Sequence, residues 1–193
     1  VYGDVGIDMV AGPSEVYVIA DETLDPYAVA CDLVAQSEHG SGFEAAVLLT
    51  TSNELIKEVR TQLEKIKTEI KDNPGFLNVW DNTLFLIKVD SIDDAIEITN
   101  RCAPEHVEVF TSNCKNDSEK IVNAGAVFVG ELSAEPLGDF VAGPSHVLPT
   151  NSSARFASGL SATSFFRRTS IMEFTEESYN QLAPLAYEFA QME

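Results

Sequence analysis

Short apolar runs alternate with amphipathic or wholly apolar helical patterns along most of this chain. Val16–Ala20 (VYVIA) is an apolar run bounded by polar residues and predicts a strand. A helix over Pro26–His39 follows. Asp25 suits its N-cap and Pro26 its first position. Ala28, Val29, Cys31, Leu33, Val34 and Ala35 make its body almost wholly apolar, as in a buried helix. Gly40 and Gly42 stop it. Ala45–Thr51 predicts a second strand. Ser52 or Asn53 then caps a long amphipathic helix reaching about Lys71, with Leu55, Ile56, Val59, Leu63, Ile66 and Ile70 on one side. Asn73-Pro74-Gly75 breaks it. Thr83–Val89 is a third strand, and Ser91-x-x-Asp94 reads as a capping box opening a helix to about Asn100. Val107–Thr111 is a fourth strand, Ser118–Asn123 a short helix ended by Gly125, and Ala126–Gly130 a fifth strand. Residues 131–170 read as a long irregular loop rich in Gly, Pro and Ser, a kind of segment that is usually functional or a linker. Glu176–Met192 closes the chain as an amphipathic helix.

This alternation predicts an α/β fold: a Rossmann-like parallel sheet of about five strands flanked by helices, then a long loop and a C-terminal helix. Residues 1–170 are expected to form that domain and residues 171–193 the C-terminal helix, the start of a tail segment. The 193 residues are enough for a substantial core. A net charge of −19, from 12 basic and 31 acidic residues, argues against nucleic acid or an anionic membrane as partner. Cys31, Cys102 and Cys114 have neither zinc-finger nor disulfide spacing, which fits reduced thiols and a cytoplasmic setting. No run is long enough to span a bilayer and no signal peptide is visible. The chain opens at Val1 without a methionine, inside what looks like a motif, and reads as a piece of a longer protein.

The candidate chemistry gathers at element boundaries. The buried helix ends in Gln36, Glu38 and His39, and Gln36 and His39, three apart, share a face. They read either as donors to a divalent metal or as a polar cap at the mouth of a core helix. Asp139, in the long loop, offers a carboxylate to complete such a shell. Glu105-His106, just before the fourth strand, reads as two general bases or as a salt-bridged turn. All three histidines, His39, His106 and His146, lie beside turns or carboxylates, and strand ends with their following loops are where open α/β sheets place ligands. Asp8–Val16 (DMVAGPSEV) echoes Asp139–Val147 (DFVAGPSHV) at seven of nine positions. The echo reads as two similar Gly-Pro turns near one pocket, or as chance.

Together, GIDMVAGPSEV, DLVAQSEHG, CAPEHVE, PLGDFVAGPSHVLPT and ARFASGLSATSFFRRTS resemble histidinol dehydrogenase, in order across essentially all of Val1–Ser170. The resemblance implies an enzyme of histidine biosynthesis that uses zinc and NAD to oxidise L-histidinol to L-histidinal and then L-histidine, reducing two NAD. By motif match it places the zinc ligands on Gln36, His39 and Asp139 and the acid–base pair on Glu105 and His106. Ser14 and His146 fall close to substrate, which Gln36, His39, His106 and Asp139 also touch. A homodimer is implied, because the family's fourth zinc ligand is a histidine of the partner subunit on a C-terminal segment. No His follows His146 here, and no G-x-G-x-x-G fingerprint is present. The nicotinamide-binding part is expected mostly upstream of Val1, and the isolated chain is expected to be inactive. A sister-branch dehydrogenase for another small polar alcohol, or a non-catalytic metal-binding module, is the alternative.

Overall fold

The computed structural model describes residues 3–37 and 39–192. Val1, Tyr2, Glu193 and Glu38, read above as part of the helix end, lie outside them. Five strands form one sheet, every neighbouring pair parallel: β1 (Glu15–Ala20), β2 (Ala45–Thr50), β3 (Leu84–Lys88), β4 (His106–Phe110) and β5 (Ala126–Val129). Their order is β3-β2-β1-β4-β5, with a reversal between β1 and β4. That is the order of a doubly wound Rossmann sheet. The chain divides into two compact units, Val1–Ser161 and Ala162–Glu193. The first holds the sheet and helices α1 (Pro26–Ser37), α2 (Asn53–Glu69), α3 (Pro74–Asn82), α4 (Ile92–Cys102), α5 (Cys114–Ser118) and α6 (Glu135–Phe140). The second holds a short 3₁₀ turn and α7 (Glu176–Met192), an exposed helix with no buried residue.

The strands are apolar almost throughout because both faces of the sheet are covered. Val16, Val18 and Ala20 pack with Leu33 of α1, Leu55 and Val59 of α2 and Phe76 of α3. Ile19, Val47, Leu49, Val107 and Val109 face the other way, against Ala95 and Ile96 of α4. Each fully buried Val, Leu, Ile or Phe among them contributes about 1.5–3 kcal/mol. The expected caps are present. The Tyr27 N–H donates to Asp25 Oδ1 at 2.9 Å, and Leu55 N–H to Ser52 Oγ at 3.2 Å. Ser91 Oγ accepts from the Asp94 N–H at 3.1 Å and donates to its Oδ2 at 2.7 Å.

Three elements differ from the sequence reading. Asn73-Pro74-Gly75 ends α2, but it also starts α3: the Asn73 side chain accepts from the Phe76 N–H and Pro74 suits the first turn. The helix expected at Ser118–Asn123 lies earlier, at Cys114–Ser118. The long loop contains α6, whose Pro136 is tolerated only because it falls in the first turn.

Candidate active site

Ser14, Gln36, Glu105, His106 and Asp139 gather at the amino-terminal edge of the sheet. Glu15 and His106 are the first residues of β1 and β4, and Gln36 lies at the end of α1, which returns toward that edge. Ligand sites of open α/β sheets ordinarily lie at the other edge, beyond the carboxyl ends of the strands. The crevice at that other edge is a cleft of about 260 Å³ lined by Thr23, Phe110, Thr111, Cys114 and Glu131. At the same edge the Asp21 carboxylate accepts from the Ser112 N–H at 2.6 Å, joining the loops after β1 and β4. The cleft has no glycine-rich turn, and its Glu131 carboxylate does not fit a pyrophosphate.

His106 is the centre of the amino-edge cluster. Its Nδ1–H donates to Gln36 Oε1 at 3.1 Å, which leaves Nε2 as the free basic nitrogen. Nε2 lies 3.9 Å from Asp139 Oδ1 and is buried without a hydrogen-bond partner among the described residues. Burial pushes the imidazole down to about 4, against the pull of Asp139, so it is neutral near pH 7. Glu135, one turn before Asp139, completes the group: ligand atoms of His106, Glu135 and Asp139 lie within 4.8 Å of one another. Burial, then Asp139, pushes the Glu135 carboxyl up to about 8. His39 is exposed and shares a cleft of about 330 Å³ with Glu135 and Asp139. Its Nδ1 lies 3.1 Å from the Gln36 carbonyl oxygen, a contact that would fix the ring and leave Nε2 free for a metal. One imidazole nitrogen, the orphaned His106 Nε2, and two carboxylates gathered within 4.8 Å fit a divalent cation such as zinc. The Gln36 amide oxygen also accepts from His106. Glu135 escapes sequence reasoning because the residues of α6 read as loop, and its i−4 spacing from Asp139 has meaning only on a helix.

Glu105 is held differently. Its Oε2 accepts from the Glu15 N–H at 3.2 Å, while Glu15 Oε2 accepts from the Glu105 N–H at 3.2 Å. Two carboxylates thus exchange backbone hydrogen bonds across the starts of β1 and β4. Burial pushes Glu105 up to about 7, opposed by the Glu15 N–H and by Ser14, whose side chain also bonds the carboxylate. Glu105 Oε2 stands 3.7 Å from His106 Nδ1. Gly125 presses on this corner from the start of β5: a Cβ there would lie 2.6 Å from the Glu105 carbonyl oxygen.

Beside Asp139 opens a mostly apolar cavity of about 680 Å³, lined by Phe128, Leu137, Gly138, Asp139, Ser145 and Leu148 among others. The Phe128 ring lies 5.9 Å from that of His106. His146 is exposed, next to the lining residue Ser145. The two echoed motifs differ in conformation. Gly143 has a φ of +104°, whereas Gly12 has no positive φ and donates its N–H to Thr150 Oγ1 at 2.6 Å. Only the second copy lines the cavity.

Fold and site together define an α/β protein of Rossmann strand order with a base pair and a metal-capable donor set on the amino edge of its sheet. The profile of the histidinol dehydrogenase family matches residues 1–193, and the chain belongs to that family. It is 43% identical over 196 residues to the histidinol dehydrogenase of Clostridium acetobutylicum and 44% identical over 193 residues to that of Agrobacterium fabrum. All of this chain is covered in both cases, and 44% of each relative, so the chain spans less than half their length. The crystal structure of histidinol dehydrogenase from Elizabethkingia anophelis superposes with a TM-score of 0.87 at 37% identity, covering 97% of this chain and 43% of that one.

Proposed function

We propose that this chain carries the metal-binding and acid–base part of a zinc-dependent, NAD-linked dehydrogenase. It would oxidise L-histidinol to L-histidine through L-histidinal, as a cytoplasmic homodimer. The observation that carries this reading is the convergence of Gln36, His106, Glu135 and Asp139, from three elements, on one buried corner beside Glu105. Gln36, His39 and Asp139 would hold the zinc, with Glu135 beside them, and zinc there supplies Lewis-acid charge and orients the substrate's amino and imidazole nitrogens.

The chain's own residues supply the proton chemistry. His106 Nε2 is unprotonated and buried, with Nδ1–H committed to Gln36, so it takes the proton of the substrate hydroxyl. Glu105, poised near neutrality, takes a proton from the water that adds to the aldehyde. Ser14 and the Glu15 N–H hold its carboxylate in place. The cavity beside Asp139 receives the substrate. The described residues present no pyrophosphate site, so none is assigned to NAD. The 193-residue chain by itself is expected to bind zinc weakly and not to turn over.

The test uses a full-length protein that contains this chain. Histidinol-dependent NADH formation should vanish with a chelator and return with zinc; turnover indifferent to the chelator would sink the metal assignment. His106→Asn should slow alcohol oxidation on the order of 10²–10⁴-fold. Glu105→Gln should impair the aldehyde-to-acid half more than the alcohol half, and equal losses in both would overturn the division of labour.

A further inference from the structure

Two residues beyond His106 on the same face of β4 lies Glu108, with 0% of its surface exposed. Its Oε1 accepts from the Glu135 N–H at 3.1 Å, and its Oε2 is buried with no hydrogen-bond partner among the described residues. A carboxyl buried in a strand is costly, and neither base nor metal shell uses it.

Its neighbours suggest the reason. Asp32 and Gln36 are four apart on α1, Glu108 and His106 two apart on β4, and Glu135 and Asp139 four apart on α6. The same three elements therefore meet in two rows. One row is Gln36, His106 and Asp139, the working row. The other is Asp32, Glu108 and Glu135: burial, then Asp32, raises the Glu108 carboxyl well above the usual range, against the Glu135 N–H. Helix α6 has six residues, and Ala134 at its N-cap offers no side-chain hydrogen bond. A helix this short has little stability of its own. Glu108 does what an N-cap side chain would do, but from the middle of the sheet.

We propose that Glu108 is a positioning residue: it caps α6 from within β4 and so holds Asp139 against His106. Only the metal arm of the test rests on the zinc reading above. Glu108→Gln and Glu108→Met are compared in the 193-residue chain by amide hydrogen exchange, thermal unfolding and competition for Zn²⁺ with a chromogenic chelator. Gln keeps a carbonyl oxygen for the Glu135 N–H, so exchange in α6 and zinc affinity should stay within about twofold of the parent. Met has comparable bulk and no acceptor. Exchange at Glu135, Val141 and Ala142 should accelerate about tenfold, the worth of one buried hydrogen bond. Zinc affinity should fall about 10–100-fold, as for a lost outer-shell partner. The midpoint should not drop, because a buried acid has been removed. Unchanged α6 exchange in Glu108→Met, or equal loosening in Glu108→Gln, overturns the proposal. So does a Glu108→Met chain that fails to fold, which would make Glu108 a core residue only. If neither the parent chain nor the full-length protein binds zinc, the zinc reading fails while the exchange comparison still decides the role of Glu108.

Discussion

Glu105 shows how much of a residue's chemistry comes from what touches it. Glu105-His106 is legible as a base pair because the two are adjacent in sequence. Glu15, whose N–H and carboxylate brace Glu105, is 90 residues away, and nothing in VAGPSEV announces the pairing. Burial leaves Glu105 near 7, so the aldehyde-to-acid half of the proposed reaction should rise as pH increases through about 7, when the carboxylate forms. A profile flat from pH 6 to 8 would remove Glu105 from that role. Gly125 gives a sharper test. A Cβ there meets backbone, the Glu105 carbonyl oxygen, which cannot swing aside as a side chain would. Gly125→Ala should cost about 1–3 kcal/mol of stability by overpacking. A displacement of about 1 Å at the base should lower turnover of the full-length protein by roughly 10²-fold. An alanine variant with parental turnover would mean that the start of β5 can shift without moving Glu105.

The elements that the sequence hid are those that position the site. Helix α3 begins where the chain looks broken, because Asn73 and Pro74 are cap and first-turn residues as well as helix breakers. It braces the turn after His39. The Asn78 side chain donates to the Gly42 carbonyl, and Glu44 accepts from the N–H groups of Ser41 and Gly42 at 2.9 and 2.8 Å. A Cβ on Gly75 would lie 2.7 Å from the Gly40 Cα, immediately beside His39. Gly75→Ala should therefore push that turn outward. In the 193-residue chain, zinc affinity should weaken at least about tenfold, as when a ligand loses its support. Urea unfolding should report about 1–3 kcal/mol of lost stability. Lost stability with zinc affinity intact would detach α3 from the metal site. Helix α6 was hidden for a different reason. Its six residues are too few for periodicity to show, and its cap comes from Glu108, 27 residues earlier on a strand.

At the scale of the whole molecule, Glu15, Asp32, Glu105, Glu108 and Glu135 are all raised by burial. Above pH 6.5 an unfolded chain has these carboxyls ionised, while in the fold Glu105 and Glu135 keep protons to about 7 and 8. The folded state then binds more protons, so stability present at the acid end is lost as pH rises through that window. His106, lowered to about 4, acts in the opposite direction only below its ordinary value of 6.5. With a chelator present, the thermal midpoint should fall between pH 6.5 and 8.5, and a rising midpoint would show that these carboxyls are not protonated in the fold. The sequence by itself determined the five-strand α/β plan, the capped helices α1, α2 and α4, and the adjacent pair Glu105-His106. Each is written in local periodicity, cap chemistry or neighbouring residues. Only the tertiary structure decided that the site stands on the amino edge of the sheet, that Glu15 braces Glu105, that Gln36 turns to His106, and that Glu108 meets Glu135. Those contacts join residues 27 to 90 positions apart, and such distances are closed by sheet order and helix packing, which no local pattern encodes.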